Sequence, residues 1–361
     1  MTMKKTVICI WLALALVCLL AGCGKAYVNA SYTQTLSKGY FDWFDTVTYI
    51  QSFAGDSQKT FDENCSALAQ QIEKYHRLFD IYHEYEGMNN LCTVNKMAGI
   101  SPVQVAAEII ELLDYCVSLY ELTDGELNVM MGSVLSLWHN ARQSATGDGP
   151  DGTVSLFIPS EEELLQASAH MDIGLLQIDR KNSTVYITDP RASLDVGAVA
   201  KGFAAEKCAA MLALRGVSGY VVNIGGNLRL VGAKADGSAW TTGIKDPFDR
   251  NSLAVRIRIE DTSCVTSGVY ERFFSFNGRR YHHIIDRDTL SPATGYSSVS
   301  VVTHDGALAD ALSTALFCMD RDGALSLLEK LRREGTEVEV LFITEDGERI
   351  CTEGFEKLLV Q

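Results

Sequence analysis

Residues 194–227 read LDVGAVAKGFAAEKCAAMLALRGVSGYVVNIGGN, and this stretch does most to restrict the fold. A polar, glycine-containing loop from Asp195 to Lys201 leads into an alanine-rich helical segment, Gly202 to Leu214. Gly216 and Gly219 then mark a turn. The apolar run Tyr220-Val221-Val222 predicts a strand, and Asn223-Ile224-Gly225-Gly226-Asn227 predicts a turn that needs positive φ or close backbone approach. The order is loop, helix, strand, glycine turn. A helix that starts directly after a glycine loop presents free N–H groups, which favour an anion. The spacing matches neither the Walker pattern nor GxGxxG, so the phosphate signal is weak by itself.

Around this stretch the chain alternates between helical and strand-like segments. Phe41 to Phe53 is rich in aromatic and β-branched residues and reads as strand, with Asp45-Thr46 as an edge or turn pair. Thr60 to Tyr85 and Val103 to Leu122 carry helical periodicity. Glu126 to His139 is apolar around Asn128, and Gln143 to Val154 reads as a surface loop. Ile178 to Thr188 alternates as a strand. Strands dominate after residue 227 and come in hairpins, with Asn277-Gly278 the strongest turn signal. Ala307 to Met319 and Ala324 to Arg333 read as helices. Such a chain belongs to the α+β class, with largely antiparallel sheets and packed helices.

The chain has 361 residues, 47% of them hydrophobic and 21% charged, with a formal net charge of −15. That is enough to bury a sizeable core. The negative balance argues against nucleic acid as a partner, because phosphate neutralisation needs clustered Lys and Arg. The first 22 residues carry Lys4 and Lys5, a short apolar run from Val7 to Leu20, and then Leu20-Ala21-Gly22-Cys23. They read as a secretory signal rather than a membrane span, because the run is too short to cross a bilayer. LAGC resembles a bacterial lipobox with Cys23 as the lipidated residue, which gives an expected place on the extracytoplasmic face of the cell membrane. Residues 23–39 then read as a tether and 40–361 as the folded domain. Cys65, Cys92, Cys116, Cys208, Cys264, Cys318 and Cys351 are scattered without a CxxC pair, as expected of small buried hydrophobes.

Several local patterns admit both a chemical and a plain structural reading. Asp310 and Thr314 lie one helical turn apart in ADALSTAL, so two oxygen donors share a face. They suit a hard cation such as Mg²⁺, or equally a first-turn acid and a hydroxyl that back-bonds to a carbonyl. His282-His283 stands before Ile284-Ile285-Asp286 and supplies a general base or a bonded core histidine. Lys201 could hold a phosphate or be a solvated lysine. Thr266-Ser267-Gly268 is an oxygen-rich turn or a strand end.

Together the segments LDVGAVAKGFA, VVNIGGN, VTSGVYERFF, RYHHIID with TLSPATGY, and SVSVVTHDGALADALSTALF resemble the ApbE family of FAD:protein FMN transferases, in both order and spacing. FDTVTYI and TDGELNVMMGSVLSLWH fit earlier blocks, so the resemblance covers Phe41 to Leu359. The family also contains flavin-trafficking lipoproteins with FAD pyrophosphatase activity. The resemblance implies a two-lobed, T-fold-like single catalytic unit. It implies a Mg²⁺ site from the Ala198 carbonyl, Asp310 and Thr314. It implies FAD, the substrate, beside Lys201, with Asp45, Thr46, Asn95, Asn128, Gly225 and Gly226 around it and His283 as general base. The implied acceptor is a Thr or Ser of a flavoprotein subunit in a membrane redox complex, of the Rnf or sodium-pumping NADH:quinone reductase type. Asn128 and Asn227 stand where many members carry Asp, and Arg287 to Pro292 forms a longer loop than the usual HIIDPRTG.

Overall fold

The computed structural model of the chain describes residues 35–146, 154–249 and 251–360. The segment read as a secretory signal, Cys23 and most of the segment read as tether lie outside these residues. Thr35–Gln361 forms one compact unit.

Its centre is an eight-stranded sheet whose strands follow one another in chain order. They are β1 (Leu36–Trp43), β2 (Thr46–Ser52), β3 (Tyr220–Ile224), β4 (Asn227–Val231), β5 (Ser263–Gly268), β6 (Tyr296–Thr303), β7 (Val338–Thr344) and β8 (Arg349–Cys351). Every neighbouring pair is antiparallel. Leu36 to Gly39, read from the sequence as tether, is therefore strand. Leu36 pairs with Ser52 and is itself buried. The run read as one strand over Phe41 to Phe53 is a hairpin, broken at Phe44-Asp45.

Five helices frame the site: α1 (Gln58–Phe79), α2 (Ala107–Leu122), α3 (Gly132–Thr146), α4 (Ala200–Leu214) and α5 (Gly306–Cys318). α4 packs on α5, on α1 and on β3 and β4, while α5 packs on β5 and β6. The sheet is covered on both faces. Alternating residues such as Val222, Ile224, Val265, Val299, Val301 and Val340 enter the large core with the helices. Their neighbours Val221, Leu230, Cys264, Val302 and Leu341 enter a second core. That core is closed by the hairpin Trp240–Lys245/Leu253–Ile259 and by Phe355. A strand buried on both faces loses polar alternation, and all of β6 is accordingly buried. A third, smaller core gathers Trp138 and Val134 of α3 with Phe274, Tyr281 and Leu290, beneath the hairpin Phe273–Phe276/Arg279–His282.

Candidate active site

The site forms where α4 begins and α5 crosses it. The approach depends on Gly202. A Cβ there would stand 2.2 Å from the Gly306 carbonyl oxygen and 2.6 Å from Asp310 Cβ. Close crossing lets the Gly202 N–H donate to Asp310 Oδ2 at 2.9 Å. The bond matters because Val199 at the α4 N-cap supplies no capping side chain. An orphan N–H of one helix is thus satisfied by a carboxylate of another.

Asp310 is 4% exposed. Burial pushes its carboxyl above the ordinary aspartate range. The Lys201 charge, the Gly202 N–H and the Asn227 amide oppose that shift. Lys201 Nζ lies 3.3 Å from Asp310 Oδ2 and donates to the Gly197 carbonyl at 2.8 Å. The neighbouring residue, Ala198, is half-buried in the same loop. One turn along α5, Thr314 Oγ1 lies 3.3 Å from Ser267 Oγ, which also bonds Ser313 Oγ at 2.8 Å. The segment Thr266-Ser267-Gly268 is thus the end of β5, with one hydroxyl turned to α5.

Asn227, at the start of β4, is 2% exposed. Its amide N–H donates to the Ile224 carbonyl at 3.2 Å, and its Oδ1 is buried without a partner. A buried, unmatched oxygen costs free energy unless something binds it. Asp310, Thr314, Asn227 and the loop carbonyls form a set of oxygen donors that fits a hard cation such as Mg²⁺. Among the described residues no group of three or more His, Cys, Asp or Glu is placed to hold a metal ion.

The two histidines of RYHHIID separate cleanly. His282 is buried. Its Nε2 bonds the Ala293 carbonyl at 3.0 Å, and its Nδ1 accepts the Ile284 N–H at 3.3 Å. His283 is solvent-exposed, and its backbone is tied by N–H donation to the Arg272 carbonyl at 3.1 Å. The protein mass around the ring hinders hydration, and the charges of Arg272, His282 and Lys201 add to this, so its pKa falls below the ordinary histidine value. At about 3 the ring is neutral near neutral pH and free to accept a proton, as a weaker base than an ordinary histidine.

The remaining sequence candidates take different places. Thr46 opens β2 and backs onto the β3–β4 turn, where a Cβ on Gly225 would come within 2.6 Å of it. Gly225 and Gly226 hold φ of 58° and 92°, and space above Gly226 is open. Asp45 is exposed in the β1–β2 turn, near Arg272. Asn95 is bound both ways to Leu194, donating to its carbonyl at 3.0 Å and accepting its N–H at 2.7 Å. It pins the start of the glycine loop. Asn128 is likewise committed, to the Met171 carbonyl at 2.8 Å and the Met130 N–H at 2.9 Å.

Sequence reasoning passed over four residues here. Tyr82 is 56% exposed and stacks on His139 of α3, with ring centroids 4.9 Å apart and planes at 23°. Both rings feel the charges of Asp195, Arg272, Arg142 and Asp45. Asp195 accepts the Gly197 N–H at 2.8 Å, and burial raises its pKa. Asp195 and Arg272 stood inside recognised motifs. His139 likewise closed the block TDGELNVMMGSVLSLWH, while Tyr82 carried no signal, and only the fold joins the two.

Known proteins resemble this chain over most of its length. The model of the ApbE family matches residues 44–342. A protein of Treponema pallidum named FAD:protein FMN transferase is 33% identical over 266 residues, covering 71% of each chain. One of the same name from Vibrio cholerae is 29% identical, covering 93% of this chain and 95% of its own. Among solved structures, the ApbE protein of Thermotoga maritima superposes with TM-score 0.78 at 28% identity, covering 91% of this chain and 100% of its own. The Vibrio cholerae flavin transferase ApbE gives TM-score 0.73 at 26% identity, covering 90% and 99%.

Proposed function

The chain belongs to the ApbE family, and from that we propose that it transfers FMN from FAD to a Thr or Ser hydroxyl of a target flavoprotein, releasing AMP. The observation that carries the reading is that Lys201 stands 3.3 Å from the buried Asp310 carboxylate while its charge also reaches the exposed His283. Relatives named FAD:protein FMN transferase support it.

Asp310, Thr314 and the Ala198 carbonyl would hold Mg²⁺, with the Asn227 amide beside the same carboxylate. When bound, such an ion neutralises charge on phosphoryl oxygens. The chain's own groups do the rest. Lys201, whose ammonium stands beside Asp310 at the start of α4, meets the pyrophosphate. The Tyr82–His139 stack offers a flat face to a ring of FAD. The acceptor hydroxyl oxygen bonds to the phosphorus on the FMN side while the bond to the AMP phosphate breaks. His283 takes the hydroxyl proton, and AMP leaves with the bond's electron pair. With water in place of the hydroxyl, the same site yields FMN and AMP.

The test incubates the soluble body with FAD, Mg²⁺ and a fragment carrying a Ser/Thr-Gly-Ala-Ser/Thr segment, and measures mass. An FMN adduct is expected, with turnover down about 10²–10⁴-fold in His283→Ala while FAD still binds. AMP without adduct would assign the pyrophosphatase. Tight FAD retention with neither product would assign a non-catalytic flavin carrier. The lipobox supports an anchored enzyme on the extracytoplasmic face, serving a flavoprotein subunit of an Rnf- or NADH:quinone reductase-like complex. Cys23→Ser should then shift the protein from the membrane to the soluble fraction.

A further inference from the structure

The turn between β1 and β2 has an unusual backbone. Phe44 and Asp45 hold φ of 53° and 51°. Left-handed backbone is uncommon outside glycine, and it is a true outlier for a bulky side chain. Positive φ at both positions is the pattern of a two-residue type I′ hairpin turn, which ordinarily takes Asn-Gly or Asp-Gly. The bulky Phe44 is therefore what carries the strain, and it persists only where its surroundings hold it.

Here the surroundings do. Phe44 donates its N–H to His76 Nδ1 of α1 at 3.2 Å. From across the turn, Arg272 Nη2 donates to the Phe44 and Asp45 carbonyls at 3.4 and 3.3 Å. Next in chain, Thr46 packs on the Gly225 backbone. The turn is therefore held between α1, Arg272 and the glycine turn, at the edge of the proposed site.

His76 can accept this N–H only if Nδ1 carries no proton. Its proton must then be on Nε2, which faces Tyr85 Oη at 3.4 Å. Tyr85 in turn donates to Asp80 Oδ2 at 2.8 Å. Asp80 is buried and fixed by the N–H groups of Tyr82 at 2.7 Å and His83 at 3.1 Å. The line from Asp80 through Tyr85 and His76 to Phe44 admits one tautomer.

We propose that His76 is a positioning residue, whose neutral Nε2–H tautomer clamps the strained Phe44–Asp45 turn and so sets the affinity of the site for FAD. The identity of the ligand rests on the function proposed above; the clamp itself does not. The ionisable groups facing His76 are Glu73, Arg77 and Asp80 on its own helix side and His83 and Tyr85 from the following loop. Arg272 lies on the far side of the turn. Burial lowers the His76 pKa, which keeps the ring neutral near neutral pH. Protonation would turn Nδ1 into a donor facing a donor. Since the folded pKa lies below the ordinary histidine value, the clamp is intact above that value and is lost as pH falls toward the folded one.

The test compares wild type, His76→Phe and His76→Asn by amide hydrogen exchange over the β1–β2 turn and by FAD titration. In wild type the Phe44 amide should be protected near neutral pH and lose protection as pH falls below the ordinary histidine value. His76→Phe should exchange freely at both and bind FAD about tenfold more weakly, with kcat at saturating FAD little changed. His76→Asn offers an amide oxygen near the Nδ1 position and should restore protection without pH dependence. The proposal falls if the Phe44 amide of His76→Phe stays protected, if kcat falls instead of affinity, or if the wild-type amide is indifferent to pH. Should His76→Phe not fold, the wild-type pH series and His76→Asn decide. If no variant, wild type included, binds FAD, the functional reading fails while the exchange data still judge the clamp.

Discussion

Lys201 Nζ stands 2.8 Å from the Gly197 carbonyl and 3.3 Å from Asp310 Oδ2. An ammonium thus occupies the neighbourhood of the proposed Mg²⁺ site, and it partly offsets the buried carboxylate. A buried charge that loses its partner is strongly destabilising. Lys201→Met should accordingly lower the Tm of the metal-free protein. A divalent ion then has more to offset, so the rise in Tm on adding Mg²⁺, measured without FAD, should exceed that of wild type. Equal rises would mean that lysine and metal do not share Asp310. The same residue shows how local sequence misleads. A lysine before a helix is ordinarily a solvated one, and nothing in AKG alone says that its side chain bends back to a carbonyl four residues earlier.

At the scale of elements, the α4–α5 crossing makes the site, and it rests on small residues. Gly202 meets Gly306 and Asp310, and Ala309, Ala311 and Ala315 keep α5 thin. Gly202→Ala must separate the helices or bend them, since its Cβ would fall on backbone rather than on a flexible side-chain end. Overpacking of this kind costs about 1–3 kcal/mol. It should also lengthen the Gly202–Asp310 bond, so thermal stability and Mg²⁺ affinity should fall together; loss of neither would contradict the crossing geometry. In the sequence Asp310 and Thr314 were legible as one helix face, with a metal reading and an equal structural one. The crossing was not legible, because Gly202 meets Gly306 from far along the chain. The Asp45-Thr46 turn was legible as a turn but not as a strained one, since φ at Phe44 is set by His76 and Arg272 from outside. The roles of Asn95 and Asn128 could not be read locally either. Their partners Leu194 and Met171 lie far along the chain.

At the scale of the molecule, the sheet covered on both faces explains why strand boundaries blurred in the sequence while the α+β class did not. Where one face meets helices and the other a hairpin, as in β6, polar alternation disappears. The same coverage explains the cysteines. Cys65, Cys92, Cys116, Cys208 and Cys264 are buried, Cys318 and Cys351 are half-buried, and all seven are free thiols. Burial pushes the Cys116 and Cys264 thiols up to about 12, so neither yields appreciable thiolate at ordinary pH. These positions replace aliphatic side chains in the cores rather than staple them. Reaction with a thiol reagent at mildly alkaline pH should therefore begin at Cys351, at the sheet edge, and leave Cys116, Cys208 and Cys264 unmodified until the chain is unfolded in guanidinium, when all react. Because the cysteines of the described residues form no disulfide, the unfolding midpoint should be the same with and without a reductant. Rapid labelling of Cys116 or Cys264 in the native protein, or a midpoint that falls when reductant is added, would show that the two-sided sheet is not closed as described.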